Sequence, residues 1–433
     1  MYISNKSILI ALFGSSVNAF MSQNAVLQAS SNKYMNNKAL FVALPPQDTN
    51  TVAESIVYET TTITTHSRMN NPLMEGISNW LLPPANAATT TEAAKPPTDS
   101  EVKLLRDSLG ALYGERNPEK AEGLLTQAID AWERQAPDEK AALYRVRGDC
   151  YMQLLRAEDA VKDYTTTIDF LKGPGGEGAD PGELPAATLG RARALRGMTG
   201  KKLSIEEYKQ MAEDYQISLR LTSGEEWDTN EENEADGATR NPYAAWEWGM
   251  AKRASGDFKG AAETHSLASL AFKNIGDKAR AVISSLDTGI DLAATDNVEE
   301  AKKVLNDAIQ STTSVEGRDI ELLQRVIAKE AEARVALASV YWGNNERAAA
   351  EAQLGEACSR LDQLQVDADA REAARVKSGA IPPITVPKLR FTIDDTAGAE
   401  LSCSRFKNEK FISETLLWPS TLQDKVSRLN KLK

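Results

Sequence analysis

Histidine is nearly absent from this 433-residue chain, which has only His66 and His265. His66 lies in a stretch without helical or strand periodicity. His265 stands at a packing position of a helical pattern, so neither offers itself as a general base. Cysteine is almost as scarce. Cys150, Cys358 and Cys403 show no C-x-x-C or Cys/His spacing of the kind that holds zinc or runs dithiol chemistry. Aromatic residues make up 6% against 42% hydrophobic residues overall, which suits many small alanine-lined seams better than one large core. Positive charge is short as well. Fifty Lys and Arg face 62 Asp and Glu for a net charge of −12, which argues against nucleic acid, whose phosphates demand a basic face.

Three conspicuous segments lack what their chemistry would need. "GPGGEGADPGELP", Gly173 to Pro185, has no Gly-Lys-Ser/Thr ending to place a cation and a hydroxyl on a phosphate, so it reads as a connector. "GEEWDTNEENEADGATRNP", Gly224 to Pro242, holds seven acidic side chains but not the twelve-residue calcium-loop grammar with its closing glutamate, so it reads as a solvated acidic loop. "GRARALRGMTGKK" is the one basic cluster, and helical geometry spreads Arg191, Arg193 and Arg196 around the cylinder. These segments imply no catalytic residue, no metal and no cofactor.

The first 87 residues read as an address. "MYISNKSILIALFGSSVNAF" pairs one lysine with an apolar run, Ile8 to Phe13, that is too short to span a bilayer, and so forms a signal peptide over 1–20. Residues 21–87 complete the presequence: Met21 to Asn71 is rich in Asn, Ser and Thr, and an apolar stretch from Ile77 to Leu82 and an A-x-A site at Ala85-Asn86-Ala87 follow. A signal ending near a Phe, followed by a hydroxylated, acid-poor segment, resembles the two-part presequence of algae with secondary plastids. The second apolar cue resembles a thylakoid-lumen transfer signal. The expectation is a disordered presequence and delivery to the plastid, with the lumen favoured over the stroma. The alternative is an ordinary unstructured N-terminus behind a secretory signal.

What the sequence has in abundance is a spacing. In "YRVRGDCYMQLLRAEDAVKDYTTTI", Tyr144, Gly148 and Tyr151 share one helical face, and Ala160, Tyr164 and Ile168 share a face of the next helix. Gly148 stands twelve residues before Ala160, Gly249 before Ala261, Gly289 before Ala301 and Ala338 before Ala350; Leu109 and Ala121 repeat the pattern loosely. A further copy, with a lengthened turn, lies in "ATLGRARALRGMTGKKLSIEEYKQMAEDYQISLRL". These residues resemble the tetratricopeptide repeat (TPR), a helix pair of about 34 residues. The resemblance implies an all-α fold: a TPR-like superhelical solenoid of about five to six helical hairpins over 98–366, followed by an extended segment and capping helix over 367–433. Within that tail, "SGAIPPITVPKLRF" breaks helix, "RFTI" reads as a short strand-like segment, and Leu422, Val426 and Leu429 mark an amphipathic helix. The helix either caps the last hairpin or binds a partner.

The resemblance also implies where binding occurs, because first helices of successive TPR pairs line a concave groove. The groove positions are Arg145, Asp149, Met152 and Gln153, then Arg191, Ala194 and Leu195, then Trp246, Met250 and Arg253, with Ile290, Val335 and Trp342 beyond. Trp246 beside Met250 and Arg253 has the composition of an interface hot spot; the other reading is that it packs inside the solenoid, as Trp248 does. The Lys/Asn clamp of chaperone-tail-binding TPR proteins is absent. "RGDCYMQL", "GATRNPYAAWEWGMA", "SVEGRDIELLQRVIAKE" and "CSRFKNEKF" resemble a plastid TPR-like family of the thylakoid lumen. The expected function is a non-catalytic scaffold or assembly factor that binds a protein or peptide segment, with photosystem biogenesis as its setting. The alternatives are a structural subunit of a thylakoid membrane complex, or an enzyme with an unfamiliar acidic site. An oxidising lumen would allow Cys358 and Cys403 to pair; otherwise all three cysteines are inert thiols.

Overall fold

Tyr164 explains why tiny residues recur in the first helices. In the computed structural model it is wedged, fully buried, between Gly148 and Gly190. A methyl group on Gly148 would lie 2.9 Å from the tyrosine ring, and one on Gly190 only 2.5 Å. The Gly148–Tyr164 contact, sixteen residues apart, recurs at that spacing from Gly249 and Gly289. A methyl on Gly249 would meet His265 at 2.5 Å, and one on Gly289 would meet Leu305 at 2.7 Å. The alanines twelve residues on, Ala121, Ala160, Ala261, Ala301 and Ala350, are all fully buried. The interior is close-packed, so these small residues let helix backbones approach while one large side chain fills the crossing.

The structure describes residues 98–135, 139–173, 182–198, 202–221, 231–295, 297–315, 320–379 and 401–430. The sequence-predicted presequence and "RFTI" lie outside these residues. Among the described residues all regular structure is helical: α1 Asp99–Leu109, running on into a π-helical turn Gly110–Gly114, α2 Pro118–Gln135, α3 Lys140–Gln153, α4 Ala157–Lys172, α5 Glu183–Gly197, α6 Ile205–Leu221, α7 Glu231–Arg240, α8 Pro242–Ser255, α9 Phe258–Asn274, α10 Lys278–Ala293, α11 Val298–Thr312, α12 Ile320–Gly343 and α13 Arg347–Ser378. A 3-10 turn Cys403–Lys407, a π-helical turn Phe411–Thr415 and α14 Ser420–Asn430 complete the chain. Each helix from α1 to α13 packs on its chain neighbour. Next-but-one contacts join α3 to α5, α6 to α8 and α10 to α12, and α14 lies on α12.

Local chemistry sets the helix starts. Asn241 precedes Pro242 and accepts a hydrogen bond from the Ala244 N–H, while Asp257 and Asp277 cap α9 and α10 by accepting from Gly260 and Arg280. The turns inside the hairpins share a less expected feature. Arg116, Leu155, Gly256 and Asn345 all have positive φ, at 54°, 59°, 91° and 62°. Each stands seven residues after Leu109, Gly148, Gly249 or Ala338, so four repeats close with the same left-handed residue. Leu155 is strained there and 64% exposed. We expect Leu155→Gly to raise stability by about 0.5–1 kcal/mol, the relieved strain less the added chain entropy. Chemical denaturation reads this, and a loss of stability would show that the leucine side chain contributes more than its backbone costs.

Two sequence expectations need correction. The acidic segment is not simply a solvated loop, because its second half forms α7, and a methyl on Gly237 would sit 1.9 Å from the Leu219 carbonyl oxygen of α6. The helix there needs glycine for a backbone-to-backbone approach. The boundary at 366/367 is likewise not the end of the helical body, since α13 continues through it to Ser378. The alanine-rich run after Leu364 sustains helix without a core to bury.

Cys358 on α13 and Cys403 in the 3-10 turn form a disulfide, with Cα atoms 4.9 Å apart and a sequence separation of 45. In the chain-entropy picture such a loop favours the closed state by about 4 kcal/mol. Beyond it the tail folds back as a cap. Phe406, Ile412, Leu416, Trp418, Leu422, Val426 and Leu429 are all buried in the same core as α12. Cys150 is free and buried.

Candidate functional site

Most of the positions expected to line an open groove are closed to solvent. Arg145, Asp149, Arg191, Ala194, Leu195, Trp246, Met250, Arg253, Ile290 and Val335 are buried, whereas Met152 and Trp342 are half-buried and Gln153 is exposed. This corrects the groove assignment for the buried set. The physical reason is that the first helices face one another: α3 packs on α5 and α10 on α12, while long side chains span from α5 to α8 and from α8 to α10.

Charged pairs bridge those faces. Arg145 of α3 donates through Nε to Glu183 Oε2 of α5 at 2.6 Å, and through Nη1 to Asp149 Oδ2 at 2.9 Å. The Tyr164 hydroxyl donates to Asp149 Oδ1 at 2.6 Å, so the residue that fills the glycine crossing also ties down the acid. Burial pushes the Asp149 carboxyl above the usual carboxylate range, although Arg145 and the Tyr164 hydrogen bond oppose it. Arg193 and Arg196 of α5 both pair with Glu247 of α8, Arg193 at 3.1 Å. Burial works against the Glu247 anion, but the two guanidinium charges outweigh it and hold the carboxyl below its usual range. Arg147 with Asp163, and Arg191 with Asp214, make the matching bonds inside hairpins, each at 2.7 Å.

The largest cluster joins α8, α9, α10, α12 and the tail. Trp246 Nε1 donates to Asp287 Oδ2 at 2.9 Å, and Arg253 bonds Asp287 Oδ1 at 3.0 Å and Asp291 Oδ1 at 2.5 Å. His265 Nδ1 lies 2.6 Å from Asp291 Oδ2. Lys329 of α12 reaches Asp287 at 3.4 Å and Glu332 at 2.8 Å, and Arg405 of the cap donates to Glu332 Oε1 at 2.6 Å. Arg253, Lys329 and Arg405 thus face Asp287, Asp291 and Glu332, and the charges balance. Burial disfavours the Asp287 anion, yet Lys329, Arg253 and His265, with the Trp246 hydrogen bond, hold it well below the usual range.

This arrangement is built for cohesion. The Asp291–His265 pair has the geometry that orients an imidazole base, but His265 is fully buried, and its Nε2 edge abuts Gly249 so closely that even a methyl group would not fit. A reacting atom has no room there. Among the described residues no group of three or more His, Cys, Asp or Glu is placed to hold a metal ion, and no helix is long and apolar enough to cross a membrane.

Sequence reasoning missed Glu183, Glu247, Asp287, Asp291, Lys329 and Glu332. Nothing in the sequences of α5, α8, α10 and α12 marks these charges as buried, because each helix mixes them with other polar or large side chains. The predicted groove positions left accessible are Met152 and Gln153, at the C-terminal end of α3, and Trp342, at that of α12. The Arg347 guanidinium carbon lies 5.4 Å from the Trp342 ring centroid.

No family model matches the chain, and no curated protein matches it. Among solved structures it is similar to a crystal structure of BtubC (BKLC) from P. vanneervenii, with 14% identity and a TM-score of 0.37. The alignment covers 68% of this chain and 96% of that one, but a likeness so loose says nothing about function.

Proposed function

We propose that the helices from Asp99 onward form a TPR-like solenoid of about six hairpins that acts as a non-catalytic protein-binding scaffold. The observation that carries this reading is the repeated register. A small residue, a left-handed turn seven residues on, a buried alanine at twelve and a bulky side chain at sixteen recur along the chain. Evolution of a repeat array supplies surfaces for polypeptides more readily than it supplies sealed reaction sites. The Cys358–Cys403 bond favours an oxidising compartment, in keeping with a plastid protein of the thylakoid lumen. Binding falls to the accessible ends of the first helices, where Met152 and Trp342 offer a flexible and an aromatic contact.

Site-specific photo-crosslinking in plastid extract tests the assignment. Crosslinkers at Met152 and Trp342 are expected to capture the same polypeptide. Crosslinkers at Lys162 and Lys259, whose side chains are 73% and 84% exposed on second helices, are not. Equal capture from all four positions, or capture only from Lys162 and Lys259, would refute binding at the first-helix ends. Comigration with a photosystem through the second-helix face would instead select a structural subunit.

A further inference from the structure

We propose that the Cys358–Cys403 disulfide is a redox-operated latch on the C-terminal cap, and that a dithiol reductant of the Cys-x-x-Cys class releases residues 401–430 from α12 while the helices beneath stay folded. This goes beyond the scaffold reading and does not depend on it.

Three observations lead here. First, the bond sits where the tail meets the body. Cys403 opens the 3-10 turn that packs on α13, and the Leu401 N–H beside it donates to Gln365 Oε1 at 3.3 Å. Opening the bond frees the cap at its point of entry, while residues 380–400 keep it covalently attached. Second, both cysteines are half-buried at the edge of the core, unlike Cys150, which is sealed inside the fold. Third, the cap's polar tie to the body is separable. Arg405 is its ion pair to Glu332, and Glu332 keeps Lys329 at 2.8 Å when Arg405 leaves. The cluster around Asp287 therefore stays paired, and Glu332 gains water.

The exchange balances as follows. A reductant thiolate attacks one sulfur of the Cys358–Cys403 bond, forming a mixed disulfide and expelling the other cysteine as a thiolate, which takes up a proton. The second reductant thiol, as thiolate, attacks the mixed disulfide and closes the reductant's own disulfide. The remaining cysteine leaves and is protonated. Two electrons pass from the dithiol to the protein, which ends with two thiols. The apolar residues Phe406, Ile412, Trp418, Leu422 and Val426 then leave the core they share with α12, and the face of α12 they covered meets water.

Hydrogen exchange of the full chain, with and without dithiothreitol, tests the latch. Reduction is expected to speed exchange of the amides in 411–430 by about tenfold or more while those of α8 to α12 keep their protection. Reoxidation is expected to restore the slow rates. Cys403→Ser without reductant is expected to match the reduced protein and to ignore added dithiol. Unchanged exchange in the cap on reduction would overturn the proposal, because the non-covalent contacts would then suffice. Loss of protection throughout α8 to α12 would overturn it too, because the bond would then hold the whole body.

Discussion

Replacing Asp287 by alanine lowers the stability of the folded chain by about 3–5 kcal/mol, the range for removing one partner from a buried charge cluster. The carboxylate is fully buried and serves Trp246, Arg253 and Lys329 at once. Its removal strands the indole N–H and leaves three cations, Arg253, Lys329 and Arg405, facing two carboxylates, Asp291 and Glu332. Asp287→Asn loses less than alanine, since an amide oxygen still accepts from Trp246, but more than a surface change would. Chemical denaturation ranks the three proteins. The pH dependence supplies a second readout. Because the folded-state carboxyl lies below its unfolded value of about 3.9, its stabilising effect is complete above that pH and fades as pH falls toward the folded value. The gap between wild type and Asp287→Asn therefore narrows on acidification below about pH 4. A gap that widens there would show that Asp287 is not held as the anion.

Gly190→Ala is the second large effect, and its sign is informative. In an open helix this change stabilises by up to about 1 kcal/mol, because alanine is the better helix former. Gly123 in α2, where an added methyl would meet nothing within 4 Å, is expected to behave in that way. At Gly190 the methyl meets the Tyr164 ring at 2.5 Å, and that ring is buried and hydrogen-bonded to Asp149. Overpacking of this kind costs about 1–3 kcal/mol, and against a rigid, hydrogen-bonded ring it outweighs the helix gain. Thermal unfolding of the two alanine variants side by side is expected to move their midpoints in opposite directions.

The parts of the fold legible in the sequence were those encoded as spacing. Gly148, Gly249 and Gly289, with the alanines twelve residues on, stand out because helical periodicity allows few other readings of so regular a small-residue pattern. The cap was legible as an amphipathic helix, through Leu422, Val426 and Leu429. The groove was not. Arg145, Arg191 and Arg253 read as solvent-facing in a single repeat, because nothing in one hairpin's sequence states how closely the next first helix will lie. Glu183 and Glu247 carry no mark that distinguishes a buried partner from a surface acid, and their roles emerge only when α3, α5 and α8 are stacked. The Cys358–Cys403 pair was open for the same reason, since a sequence separation of 45 does not bring two sulfurs together by itself.

The central claim is that equivalent side chains lock successive hairpins together, and a double-mutant cycle on Gly190 and Tyr164 puts it to one number. If Tyr164 fills the space that Gly190 leaves, Gly190→Ala destabilises the wild type but stabilises a Tyr164→Ala protein by up to about 1 kcal/mol, a reversal of sign. If Gly190→Ala has the same effect in both backgrounds, the two residues do not share a crossing and the account fails.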